Sequence, residues 1–339
     1  MHLHLVLPGL LWPSIHARGF ASALALPALS HLLGRADCRP LAGETPEQTW
    51  ARLFGIDAAT LADAPLRRWG EADAWHDGTP LLCADPTHLH FAGEYLLLTD
   101  AGELAIGRDE ADALVEALNT EFADIGRFEA PTPERWYLHP LTPPTAQLSR
   151  LSAVTGRPIV HYLPSNGDAL IWQRTMNEIQ VVLHNHPVNR AREAAGQRPI
   201  NSVWFWGAGR APTTLGAPMP AIAARTPLVR GLARAAGIAP LAPTDFAARP
   251  AGDALVELAA AYHPSLYLDL APWQAALADI EQLWLAPALA AVSSGALKTL
   301  TLTLPDERGG VQLTLRKPHL WRFWRKAQDL ETFTLARYS

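Results

Sequence analysis

Cysteine is nearly missing from the chain: Cys38 and Cys83 are the two present in 339 residues, and no Cys-x-x-Cys spacing joins them. That excludes a disulfide framework or a cysteine-rich zinc module and fits a reducing, cytoplasmic setting. Long apolar runs are missing too. The opening "LHLVLPGLLWP" is cut by Pro8 and Pro13 and lacks both a basic leading region and a small-residue cleavage site. It reads as a buried first strand, not a membrane span or signal peptide, so no membrane partner is expected. Excess positive charge is absent: 28 Lys and Arg against 33 Asp and Glu give a net charge of −5. General affinity for nucleic acid is therefore not expected, and "RKPHLWRFWRK" is the one local basic stretch that could provide it. There is no GxSxG, P-loop, HExxH or calcium loop, no short-period repeat and no low-complexity tract.

What is present describes an ordinary globular chain, 49% hydrophobic and 18% charged, long enough for one large domain or two modest ones. "PALSHLLGRA" and "TPEQTWARLFG" predict helices, the second with Thr45 as cap and Pro46 in its first turn. "LHFAGEYLLLTDAGELAIG" predicts a hairpin. "RDEADALVEALNTEF" predicts an amphipathic helix with Leu114, Leu118 and Phe122 on one side. Prolines break residues 129–166 into short strand-like runs, "RWYLHP" and "PIVHYLP" among them. Asp168 then caps a long helix whose stripe Trp172, Met176, Ile179 and Leu183 faces the core and which ends near His184, ahead of Pro187.

Farther on, "NSVWFWGAG" predicts a strand feeding a glycine turn, "PLVRGLARAAG" a helix, and "SLYLDL" a strand. "APWQAALADIEQLWLAPALAAV" predicts a long helix, and "LKTLTLTL" with "GVQLTLR" a pair of strands. Strands alternating with helices point to a mainly parallel sheet covered on both faces. The middle third breaks that rhythm. The expectation is an α/β core from residues 1–75 and 166–339 with a smaller α+β subdomain inserted over 76–165.

Chemistry-bearing residues concentrate in "HNHPVNRAREAAGQRPINSVWFWGAGRAP", residues 184–212. His184 and His186 have a spacing that suits a metal in an extended segment, but no nearby carboxylate or thiol completes a ligand set, and hydrogen bonding at a helix end is the plainer role. "WGAG" is a lone GxG at the carboxyl end of a predicted strand, where open α/β sheets place ligands. Asn189, Arg190, Arg192, Asn201, Gly207, Gly209 and Arg210 are therefore candidates for binding a small phosphorylated or carboxylate ligand, since guanidinium groups suit such anions. The alternative is a solvated or structural role. In "WRFWRK", Trp321, Arg322, Trp324 and Arg325 could dock a protein partner or stack on bases. Packed tryptophans with snorkelling arginines are the plainer explanation.

The stretch from "HPVNRAR" to "WGAG" resembles the HPVNxxR…G…PAN…WGxG segment of archaeal-type, cofactor-independent phosphoglycerate mutases, members of the alkaline-phosphatase-like superfamily. "PALSHLL", "RLFGIDA", "DEADALVEALN", "VRGLARAAGI" and "LADIEQLWLAPAL" are similar, in order, to further elements of that family. A bacterial branch of RpfE-type regulatory proteins resembles the chain more fully, in the block "DALxWQRxMNEIQxxLHxHPVNxAR" and a WRFWR ending. The resemblance implies an alkaline-phosphatase-like, doubly wound α/β fold. In the family it also implies two divalent metals and a serine nucleophile.

The chain departs from that chemistry. Pro8 stands where the family's first strand brings a metal-binding aspartate, and Pro46 beside Thr45 where it brings the nucleophile. Only Asp269 remains of a DxxGHD ligand loop, and "LPDERGG" replaces a terminal Asp-His. The expectation is a non-catalytic regulatory or ligand-sensing protein with no cofactor and no metal. One alternative is an active mutase or phosphatase with ligands drawn from His16, His31, Asp37, His263, Asp269 and Asp306. Another is a nucleic-acid- or protein-binding regulator using the C-terminal Trp/Arg segment.

Overall fold

The computed structural model describes residues 1–13, 18–71, 78–212 and 214–338, which fall into two units, Met1–Thr60 with Thr213–Ser339, and Leu61–Pro212. The first unit opens with β1 (His2–Val6), α1 (Pro27–Arg35), β2 (Asp37–Pro40) and α2 (Pro46–Leu53). The second holds α3 (Asp63–Glu71), β3 (Leu81–Ala92), β4 (Tyr95–Thr99), α4 (Arg108–Glu121), β5 (Gly126–Thr132) and β6 (Arg135–Pro140). It continues with α5 (Leu151–Val154), α6 (Ala169–Asn185), α7 (Pro187–Ala194) and β7 (Ser202–Gly209). The chain then returns to the first unit through β8 (Ala221–Ala223), α8 (Pro227–Ala235), β9 (Ala254–Glu257), α9 (Tyr262–Leu266) and α10 (Leu270–Ile280). It ends in α11 (Ala286–Ser294), β10 (Thr299–Leu304), β11 (Val311–Arg316) and α12 (Leu330–Tyr338).

In the first unit the strand order is β2-β11-β10-β1-β9-β8. β10, β1, β9 and β8 run parallel, and β11 and β2 add an antiparallel edge. Leu5 sits between Leu302 and Val256, and the central strands are buried along nearly their whole length, as expected of a parallel sheet covered on both faces. This is the expected α/β class with a mainly parallel sheet. The second unit is a smaller antiparallel sheet in which β3 pairs with β4, β6 and β7, with the Trp172, Met176, Ile179 and Leu183 stripe of α6 in its core.

Local sequence explains most elements. Thr45 and Gln48 close a capping box on α2, with Pro46 in the first turn. α1 has Leu26 before its first residue and so no side-chain cap of its own. Glu281 supplies one from a distance, accepting from Ala28 N at 2.6 Å and Leu29 N at 3.0 Å. It lies in the π-helical turn Glu281–Leu285 that joins α10 to α11, and its charge suits a helix N-terminus. The continuous helix Leu270–Ser294 is long and apolar enough to cross a membrane by length and composition alone. Trp273, Leu277, Ile280, Trp284, Ala288 and Val292 instead place one of its faces in the core of the first unit.

Three expectations differ from the structure. Residues 61–75 and 166–212 were expected in the core, whereas the second unit takes in 61–212. The reason is that β7 pairs antiparallel with β3 rather than joining the parallel sheet. "SLYLDL" is not a strand: α9 ends within it, and Leu268, at φ +55, turns the chain into α10. "PIVHYLP" forms a 3-10 turn, Ile159–His161. Short apolar runs of this kind do not separate helix from strand by periodicity.

Candidate functional sites

Open parallel sheets bind ligands beyond the carboxyl ends of their strands. After β1 the chain reads Leu7-Pro8-Gly9-Leu10-Leu11-Trp12, and Leu7, Leu10, Leu11 and Trp12 are buried. Trp12, Phe20 and Trp273 pack there with ring centroids 4.8, 5.9 and 6.1 Å apart, and Trp273 Nε1 donates to the Gly9 carbonyl at 2.7 Å. Gly9 has φ +74, and a Cβ on it would lie 2.6 Å from Tyr262 Cα, so only glycine lets this backbone press against α9.

Glu257, which ends β9, is buried but committed. It accepts from Thr226 Oγ1 at 2.6 Å, Thr226 N at 3.0 Å and Arg225 N at 3.3 Å, at the N-terminus of α8. Burial pushes its carboxyl above the usual range against the pull of those bonds. Beyond β10, Asp306 accepts from Arg308 N at 2.8 Å in a turn.

The ligands considered for a relocated metal centre do not gather. His16 lies outside the described residues. His31 is half-buried on α1, and burial lowers its pKa. Asp37 bonds Arg322 at 2.7 Å, which pulls its carboxyl down. His263 packs tilted against Tyr267, ring centroids 5.0 Å apart, and Asp269 precedes α10. Among the described residues, no three His, Cys, Asp or Glu side chains come together as a metal site.

In the 184–212 stretch, weighed above as an anion pocket or as structural, Asn189, Arg192 and Asn201 are engaged by bonds within the protein. Asn189 is buried and fully used: Nδ2 donates to the Leu183 and Ile200 carbonyls, both at 2.8 Å, and Oδ1 accepts from Ile200 N at 2.7 Å. Arg192 is buried too, bonding Glu110 at 2.7 Å, the Arg198 carbonyl at 2.8 Å and the Leu104 carbonyl. Asn201 pairs with Leu89 N and O, imitating a strand neighbour. These bonds tie α7 and the lead into β7 to the rest of the second unit.

The glycines of "WGAG" serve packing. Gly207, at φ +66, and Gly209 lie against α3 and its approach, and a Cβ would meet Asp63 Cβ at 2.8 Å or Ala62 Cβ at 2.5 Å respectively. Arg190 and Arg210 are exposed, the latter donating to the Gly78 carbonyl. His186 caps the N-terminus of α7, its Nδ1 accepting from Val188 N at 3.2 Å, a bond at a helix start and not the C-terminal one expected, while His184 is exposed.

Sequence reasoning missed the most concentrated polar cluster. On α3, Arg67 is buried and donates bidentately to Asp85 at 2.7 Å on both sides, and through Nε to Tyr137 Oη at 2.9 Å. Trp206 Nε1 also donates to Asp85, at 2.8 Å. The same helix pairs Asp63 with Arg150, Arg68 with Glu129 and Glu71 with Arg135. Alternating signs in "DAPLRRWGE" were the available signal, but a solvated helix carries the same signature.

At the C-terminus the structure reverses the plainer expectation. Arg322 donates to Asp37 at 2.7 Å and the Arg35 carbonyl at 3.0 Å, and Arg325 to the Ala36 carbonyl at 3.1 Å. Both thus serve the end of α1, where cations are favoured. Trp321, Phe323 and Trp324 project outward, 75%, 83% and 68% exposed.

A 60-residue segment is 42% identical to a 2,3-bisphosphoglycerate-independent phosphoglycerate mutase of Methanothrix thermoacetophila, covering 18% of this chain and 15% of that one. A 132-residue segment is 32% identical to the enzyme of that description from Methanosarcina mazei, covering 35% and 31%. Its sequence relatives are phosphoglycerate mutases. The matched segments span less than a third of either relative. The fold is shared with the PH0037 protein from Pyrococcus horikoshii, at TM-score 0.54 and 15% identity over 97% of this chain and 91% of that one. No family model matches the chain.

Proposed function

We propose that this chain is a non-catalytic regulatory or ligand-sensing protein on a mutase-like fold, akin to the RpfE-type regulatory proteins it resembles. One observation carries the reading. The carboxyl end of β1, where the family resemblance implies two dications, is packed with Trp12, Phe20 and Trp273 and pressed against α9 at Gly9. Two dications need several carboxylate or imidazole ligands close together, and the described residues do not offer them. The described residues therefore do not fit the metals.

A function exerted by binding is favoured by the C-terminal segment. Its outward Trp321, Phe323 and Trp324 are flanked by exposed Lys317, Arg325 and Lys326. Clustered exposed aromatics mark interaction sites, and the flanking cations suit a protein partner with an acidic surface. The test of non-catalysis is an assay of the full chain with 2- and 3-phosphoglycerate in magnesium, manganese, cobalt or zinc. The expected result is no turnover above the protein-free rate. Metal-dependent turnover abolished by His263→Ala, Asp269→Asn or Asp306→Asn would establish the active-enzyme alternative.

A further inference from the structure

The outward face of α6 carries a pattern used neither by the antiparallel core nor by the C-terminal segment. Leu170, Ile171 and Val181 are 80%, 64% and 63% exposed, while the opposite stripe of the helix is buried. Between them Arg174 Nε donates to Glu178 Oε1 at 2.7 Å, both side chains in solvent. Two shallow hollows of about 390 and 350 Å³ run along this face and share Asn177 and Val181.

The order along the stripe is apolar at 170 and 171, basic at 174, acidic at 178 and apolar at 181. Reversal about residues 175–176 exchanges Arg174 with Glu178, and Leu170 and Ile171 with Val181. An antiparallel copy placed across a two-fold axis at that point therefore sets each Arg174 beside the partner's Glu178. Each Leu170 and Ile171 then lies within a turn of the partner's Val181. Two-fold interfaces require such self-complementarity, because every residue on the axis face meets the same patch reversed. A stripe with one sign of charge would repel itself.

We propose that α6 is a self-association surface and that its occupant is a second copy of this chain. The proposal is independent of the function argued above. The helix is about 25 Å long, and a single helix pair of that length falls at the small end of specific interfaces, so the dimer should titrate at about micromolar concentration.

Sedimentation velocity of the full chain from low to high micromolar concentration tests this. The expected result is a monomer–dimer equilibrium weakened by at least about tenfold in Val181→Glu, Arg174→Glu or Glu178→Arg. The double reversal R174E/E178R, which restores the alternation of sign, should recover the dimer. All three substituted positions, 174, 178 and 181, are exposed, and circular dichroism with thermal unfolding verifies that each variant is folded. A wild-type chain that stays monomeric throughout overturns the proposal. So does a dimer indifferent to all three single substitutions, or a double reversal no tighter than either single one.

Discussion

Arg67 and Asp85 are buried together, with every close neighbour arranged around the pair: Tyr137 and Trp206 hydrogen bond to it and lie under the guanidinium. Removing one member of such a pair leaves an uncompensated charge, which typically costs about 3–5 kcal/mol, whereas an exposed pair such as Arg174 and Glu178 contributes about 0–1 kcal/mol. Asp85→Ala should therefore lower the free energy of urea unfolding by several kcal/mol, and Glu178→Gln should leave it nearly unchanged.

Acid sensitivity belongs to the same scale. His4 is buried against Thr303, and burial, with the nearby His2 and Arg52, lowers its pKa to about 4 from the ordinary 6.5. Burial lowers His2, His31, His88 and His186 as well. The unfolded chain thus binds more protons than the folded one below pH 6.5, so stability falls as pH drops toward 4. Unfolding measured at stepped pH should show that decline, and His4→Gln should make it shallower. An unchanged slope would mean His4 titrates freely.

At the scale of elements, the C-terminal segment separates side chains that hold the fold from side chains free to meet a partner. Arg322→Ala removes bonds to Asp37 and the Arg35 carbonyl and should cost about 1–2 kcal/mol. Trp321→Ser and Trp324→Ser should change unfolding free energy by no more than about 0.5 kcal/mol, because their rings are in solvent. Tryptophan variants less stable than the arginine variant would mean the rings are packed.

Most helices were legible in the sequence, because apolar periodicity is a local signal that α2, α4, α6 and α8 follow; the expected cap forms on α2, whereas Asp168 precedes α6 without capping it and accepts from Thr145 N and Ala146 N instead. The partners of β7 were not. A buried strand reads as apolar whether it pairs parallel or antiparallel, and that choice decided which unit residues 166–212 joined. The site suffered from the same limit. Sequence shows that Asn189 and Arg192 could bind an anion, but not that Ile200, Leu104, Arg198 and Glu110 take up their bonds first.

At the scale of the whole molecule, the parallel α/β unit has core packed beyond the carboxyl end of β1, with Trp12, Phe20 and Trp273 in contact there. The sheet depends on Leu, Val and Ala packing along β1, β9 and β10, and that packing survives whatever stands beyond the strands. Leu10 and Trp12, just past β1, are buried, and such burial contributes about 1.5–3 kcal/mol per large apolar side chain. Elemental analysis of the purified full chain, expressed with added manganese and zinc and passed through gel filtration, tests this most directly. The account predicts no stoichiometric dication; two tightly held dications per chain would contradict it.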